Sequence, residues 1–259
     1  MSFVDIEASG RRLRIEHAWV GEPGATPLAV FLHEGLGSLA MWKDFPARLC
    51  AAAGCRGLVY SRPGYGRSTP RAPDEHWAPD FMHRQADELL PALLQALGVT
   101  APAWLFGHSD GGSIALLHAA HHARQVAGAI VVAPHIFVED VSVASIALAR
   151  KAYLDTDLRQ RLSRYHDDPD SAFWGWNDIW LSPAFRAWNI ERELSAITCP
   201  LLAVQGVDDE YGTLAQVRDI ARHVPQARVL ELPACGHSPH RDQPAALIEA
   251  AASFIAEHR

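Results

Sequence analysis

The chain has 259 residues, 49% of them hydrophobic, which is enough to bury the core of one large α/β domain or two small ones; one domain is the simpler expectation. A formal charge of -7 and a pI near 6.0 give no electrostatic ground for nucleic acid or an anionic membrane as partner. No basic stretch followed by an apolar one opens the chain, and no apolar run is long enough to span a bilayer, so the expectation is a soluble, cytoplasmic protein.

In chain order, short β-rich runs alternate with helical patterns, which predicts βαβ units around a mainly parallel sheet. RLRIEHAWV (12–20) alternates polar and apolar residues and suits an antiparallel edge strand. LAVFLH (28–33) and RGLVYS (56–61) are apolar nearly throughout, as strands covered on both faces are. Met82, Ala86, Leu89, Leu90, Leu93, Leu94 and Leu97 then repeat with helical period, Pro91 should kink that helix, and Gly98 supplies its C-cap. Two further strands are PAWLFG (102–107) and VAGAIVVA (126–133). From 134 to 198 the alternation stops. That segment holds amphipathic stretches and four of the eight tryptophans, Trp174, Trp176, Trp180 and Trp188, and reads as a helical insertion over the carboxyl ends of the strands. PLLAVQG (200–206), ARVLEL (227–232) and a last helix near 243–257, with Leu247, Ile248, Ala251, Phe254 and Ile255 on one face, complete the pattern. The division expected is a core of 1–133 and 199–259 with 134–198 as a cap. Cys50, Cys55, Cys199 and Cys235 follow no disulfide or metal pattern and read as reduced thiols.

Gly107-His108-Ser109-Asp110-Gly111 is a G-x-S-x-G sequence between the strand PAWLF and the helical run SIALLHAA. A nucleophile elbow needs that placement, with small flanking residues that let a strained serine stand clear at the head of a helix. A serine hydroxyl is a weak nucleophile, so it needs a base and a carboxylate to fix the base's tautomer. Both lie downstream at strand ends: Asp208 and Asp209 after PLLAVQG, and His237 after ARVLEL and the turn PAC. No HxH or HExxH spacing suggests a metal, and no cofactor is expected. Of the fourteen histidines, His33, His108 and His135 fall near the proposed site as scaffold residues; His166 and the others read as surface or packing residues.

FLHEGLGS, YSRPGYGRS, LFGHSDGGSIAL, LLAVQGVDDEYGT and LPACGHSPHRDQP, in this order, resemble the α/β-hydrolase superfamily over essentially the whole length. The resemblance implies an α/β-hydrolase fold, a mainly parallel central sheet flanked by helices with a helical lid. It also implies a triad of Ser109, His237 and Asp209, with Asp208 and His240 as the alternatives. The oxyanion donors would be the Gly35 and Asp110 amides, and Arg62 and Gly64 would be structural. Glu34 stands where glycine is usual: it either points to solvent or caps a helix, or faces the pocket and favours a cationic or hydrogen-bond-donating substrate group. Together with Trp174, Trp176 and Trp180 it is a candidate for substrate binding. LGSLAMW is similar to enol-lactone hydrolases, and the lid-bearing layout to carbon-carbon bond hydrolases. The expected substrate is a small molecule: a carboxylic ester, lactone or thioester of a small, partly apolar acid. Two alternatives stand. One is an amide or peptide-releasing enzyme with Glu34, Glu191 or Glu193 on the amine, and the other is a ligand-binding protein on a hydrolase scaffold.

Overall fold

The runs that are apolar throughout occupy the middle of a single eight-stranded sheet in the computed structural model, which describes residues 1–259. In chain order its strands are β1 (Ser2–Ala8), β2 (Arg11–Val20), β3 (Leu28–Leu32), β4 (Arg56–Tyr60), β5 (Ala103–His108), β6 (Val126–Val132), β7 (Leu201–Gly206) and β8 (Arg228–Leu232). Their order across the sheet is β1-β2-β4-β3-β5-β6-β7-β8. All neighbours from β4 onward pair parallel, whereas β2 runs antiparallel to both β1 and β4.

The antiparallel sense expected for 12–20 is found, but its edge position is not. The edge is β1, whose register with β2 runs from Ser2↔His17 to Ala8↔Arg11. Ser9 and Gly10, at φ 53° and 69°, close this hairpin in the left-handed conformation that two-residue hairpin turns require. Burial alternates only from Arg12 to Ile15, a feature that a second strand shares with an edge strand; Ile15, Glu16 and His17 are all buried.

The helices are α1 (Phe45–Ala53), α2 (Phe81–Arg84), α3 (Leu90–Ala96), α4 (Asp110–His121), α5 (Asp140–Asp155), α6 (Leu158–Leu162), α7 (Pro169–Trp180), α8 (Glu191–Leu194), α9 (Ala215–His223), α10 (Pro239–Asp242) and α11 (Pro244–Glu257). The helix expected over 82–97 is broken by a π-helical turn, Gln85–Leu89, between α2 and α3. Pro91, without an N–H, sits in the first turn of α3, and the wider turn before it absorbs the break in the i→i−4 ladder. Gly98 ends the element as expected, with its amide on the Gln95 carbonyl and the Val99 amide on that of Leu94.

Side chains of alternating sense divide the core into two layers. Phe31, Val59, Phe106, Val132 and Val204 pack with Leu49 of α1 and Leu247, Phe254 and Ile255 of α11. Val30, Leu105, Val131 and Ala203 face Leu93 of α3, Ile114 of α4 and Val217 of α9, a layer continuous with the buried side of 134–198. That segment contains α5 to α8 and no strand beyond an isolated bridge between Phe137 and Asn189.

The chain runs from β3 to β4 on one side and to β5 on the other, so the strand order reverses between β3 and β5. Their carboxyl ends flank the crevice where such a reversal opens the sheet to a ligand. His33–Ser38 leaves one of these ends and Ser109 the other. No helix is long and apolar enough to cross a membrane, and all four cysteines are buried free thiols.

Candidate active site

Ser109 lies between the last residue of β5 and the first of α4, at φ 52° and ψ -121°. This left-handed backbone, rare for a residue with a Cβ, is held from both sides. The Ser109 amide donates to the Val132 carbonyl at 2.9 Å, and its own carbonyl accepts from the amides of Gly112 and Ser113 at 2.8 and 3.0 Å. A Cβ on Gly107 would collide with the main chain of Gly111, and one on Gly111 with the Leu32 carbonyl. Strand, turn and helix therefore approach as closely as glycine permits, and the serine stands 7% exposed at the helix head.

His237 and Asp209 come together at the neighbouring strand ends. The ring Nδ1 lies 2.8 and 3.0 Å from the two carboxylate oxygens; carboxylates only accept, so Nδ1 carries the proton and Nε2 presents its lone pair. Asp209 is fixed further by the amides of Tyr211 and Gly212 on Oδ1 and by Gln205 Nε2 on Oδ2. Burial pushes its carboxyl up, but the His237 hydrogen bond and charge and the Tyr211 amide outweigh this and hold it below its ordinary value. Asp208, the neighbouring alternative, is exposed. His240, the alternative base, is packed between Trp42 and Phe45 with Nδ1 unpartnered, and burial takes its pKa down to about 3. The rings of Tyr211 and His135 lie 4.8 and 5.9 Å from that of His237. No hydrogen bond joins Ser109 Oγ to His237, whose ring bonds to Asp209 through Nδ1.

The loop after β3 is stiffened from beneath. His33 Nδ1 donates to the Glu34 carbonyl at 2.7 Å and its Nε2 accepts from the Arg62 amide at 3.0 Å, which fixes one neutral tautomer; burial holds this ring well below its ordinary pKa. The fully buried Arg62 also reaches the Glu34 carbonyl through Nη2, at 2.9 Å. Gly37 donates back to Glu34 in a turn, and the Gly35 amide enters none of the loop's main-chain hydrogen bonds. The sequence places His166 among the surface or packing residues. It is a buried tie: its Nδ1 accepts from the Gly66 amide and its Nε2 donates to the Leu36 carbonyl. Nothing near it in sequence signals this, because both partners are about a hundred residues or more away.

The tryptophans divide. The Trp176 indole packs against Gly35, where a Cβ would collide with it, and Trp180 Nε1 donates to Asp110 Oδ1 at 3.1 Å. Burial pushes the Asp110 carboxyl up, against the pull of Arg62 at 3.8 Å and of Trp180. Trp174 instead lies beside Arg150 and Tyr153 and lines a separate 240 Å³ cleft with Arg71, Trp77 and Asp178. Trp188 stacks on Phe185. Glu34 turns its carboxylate toward His108 and Arg241. Glu193 is engaged by His83 and His121, and Glu191 by Asn189 and His223, so the carboxylates considered for an amine are committed to protein partners.

The family model for the alpha/beta hydrolase family matches residues 29–250. The chain belongs to that family. This hydrolase is 27% identical to 2-succinyl-6-hydroxy-2,4-cyclohexadiene-1-carboxylate synthase of Enterobacter sp. (strain 638), over 91% of this chain and 93% of that protein. It is 24% identical to 2-hydroxy-6-oxo-6-phenylhexa-2,4-dienoate hydrolase of Burkholderia cepacia, over 91% and 89% of the two. Among solved structures, a thermophilic esterase from Thermogutta terrifontis superposes with a TM-score of 0.76 at 19% identity, covering both chains completely. That similarity extends to the fold.

Proposed function

We propose that this hydrolase cleaves a carboxylic ester, lactone or thioester of a small, partly apolar acid through an acyl-enzyme on Ser109. The observation that carries the reading is the Asp209–His237 pair, which frees Nε2 of the histidine to act as a base, in a segment bonded to His108, the residue before a serine held out on a strained elbow. Ser109 Oγ attacks the carbonyl carbon as His237 Nε2 takes its proton, while Asp209 holds Nδ1–H and balances the imidazolium. The Gly35 and Asp110 amides receive the developing oxyanion, Asp110 as the first residue of α4. Collapse breaks the bond to the alcohol, enol or thiol, which leaves with the proton from His237. Water, deprotonated by His237, then releases the acid. In this reading 134–198 is a lid on a core of 1–133 and 199–259, and Trp176 and Trp180 supply an apolar wall.

Ser109→Ala should lower p-nitrophenyl ester turnover by several orders of magnitude, on the scale of roughly 10⁶ for a serine acting within a triad, and should abolish labelling by a fluorophosphonate. Near-wild-type hydrolysis by the variant would sink the assignment. Tight ligand binding by a wild-type protein that neither labels nor turns over would make it a binding protein instead.

A further inference from the structure

Glu34 and His108 take no part in the chemistry proposed above, yet they lie beside it. His108 immediately precedes Ser109 and is 1% exposed. Its Nε2 lies 2.7 Å from the main-chain oxygen of His237, and because a carbonyl only accepts, Nε2 carries a proton. Its Nδ1 faces Oε2 of Glu34 at 3.4 Å, an oxygen that also only accepts, so a second proton turns that contact into an ion pair. Oε1 of the same carboxylate is held by Arg241 Nη2 at 3.3 Å, from α10 just beyond His237. The carboxyl of Glu34 is pushed up by burial but held well below its ordinary value, chiefly by His108 and also by Arg241.

The remaining neighbours do not compete for this pair. The His240 ring, 4.8 Å from His108, is neutral through burial, and Trp42 is 6.4 Å away; the ring of His135 lies beyond that of His237. The segment bearing His237 is also held at the Cys235 carbonyl, which accepts from the Asp208 amide at 2.9 Å, and through its own amides by carboxylates near solvent. Gly236 donates to Asp242 at 3.0 Å and His237 to Glu210 at 3.1 Å. The bond to His108 is thus the buried anchor of the histidine's main chain, and Glu34 is the charge behind it.

We propose that Glu34 and His108 are positioning residues, a second carboxylate–imidazole couple that fixes the main chain of His237 while Asp209 fixes its ring. This rests on the triad reading above.

The test compares His108→Ala, His108→Gln, Glu34→Ala and the double alanine variant. A glutamine amide at position 108 can still donate to the His237 carbonyl. His108→Ala and Glu34→Ala should each lower kcat on a p-nitrophenyl ester roughly ten- to a hundredfold, the scale on which an ångström's misplacement of a reacting group acts. KM should stay within about twofold, His108→Gln should recover most of kcat, and the double variant should lose little more than either single one. The NMR resonance of the His237 Nδ1–H proton should move or broaden in the alanine variants and return in His108→Gln. A raised KM at unchanged kcat in Glu34→Ala would instead place Glu34 on the substrate and overturn the proposal. Losses that multiply in the double variant, or wild-type kcat throughout, would overturn it too. If the wild-type protein neither hydrolyses esters nor labels at Ser109, the triad reading is what fails. The His237 resonance then judges the couple alone, and a signal unchanged in both alanine variants overturns it.

Discussion

Ser109 carries a backbone conformation that an L-residue avoids, and the fold imposes it through the Val132 carbonyl and the first turn of α4. Such strain costs on the order of 1–3 kcal/mol and persists only where the surroundings over-determine it. Glycine adopts a positive φ without that penalty. Ser109→Gly should therefore be more stable than Ser109→Ala by about 1–2 kcal/mol, while both lose turnover. Urea unfolding of the two variants checks this, and equal midpoints would mean that the turn is relaxed. Within the proposed triad, the serine and histidine candidates stand out in the sequence because a local pattern next to a strand announces each. Between Asp208 and Asp209 only the family resemblance favours Asp209; the residues themselves do not separate adjacent carboxylates, which differ in which one the turn after β7 aims at Tyr211, Gly212 and His237. Glu34 was harder still: its partners His108 and Arg241 are 74 and 207 residues away.

At the scale of elements, a few polar contacts fasten the segment between β6 and β7 to the crevice. Trp180 of α7 donates to Asp110, the first residue of α4, whose other carboxylate oxygen is buried without a hydrogen bond. Trp180→Phe removes a donor from a buried carboxylate and should destabilise the protein by about 1–3 kcal/mol beyond the loss of ring volume. Trp188 is the internal comparison, because its Nε1 is buried with no partner, so Trp188→Phe loses volume but no bond. The difference between the two denaturation midpoints isolates the Trp180–Asp110 bond, and no difference would show that it contributes nothing. The helical, strand-poor character of 134–198 was readable from its missing alternation. Which tryptophans meet the core was not, since Trp174, Trp176 and Trp180 all lie on α7 and helix packing decides their directions. The hairpin of β1 escaped for another reason. Only Ile6 and Ala8 of that strand are buried, so its apolar pattern is faint, and Ser9-Gly10 was the signal that could have exposed it.

Over the whole molecule, the buried histidines set how the fold responds to acid. Burial lowers the pKa of His118 to about 4 and those of His135 and His240 to about 3, from an ordinary 6.5. In the unfolded chain these rings take up protons near the ordinary value, whereas in the fold they stay neutral until the lowered one. The unfolded state therefore binds more protons across that window, and stability rises with pH through it. The contribution is complete above about pH 6.5 and is lost as the pH falls toward the folded values. Asp209 and Glu34, both held below their ordinary values, act with the same sign at the acid end of that range. With these three rings and His33, which burial also holds well below its ordinary value, titrating together, the slope near pH 5 should reach about 5 kcal/mol per pH unit, steep enough to unfold a domain of ordinary stability within roughly two units. Urea midpoints should thus be level from pH 8 to pH 7 and fall sharply between pH 6 and pH 5. His118→Gln should reduce that fall by about a quarter or less, because it removes one of at least four protons. A wild-type midpoint unchanged from pH 7 to pH 5 would mean that these rings are as easily protonated in the fold as outside it.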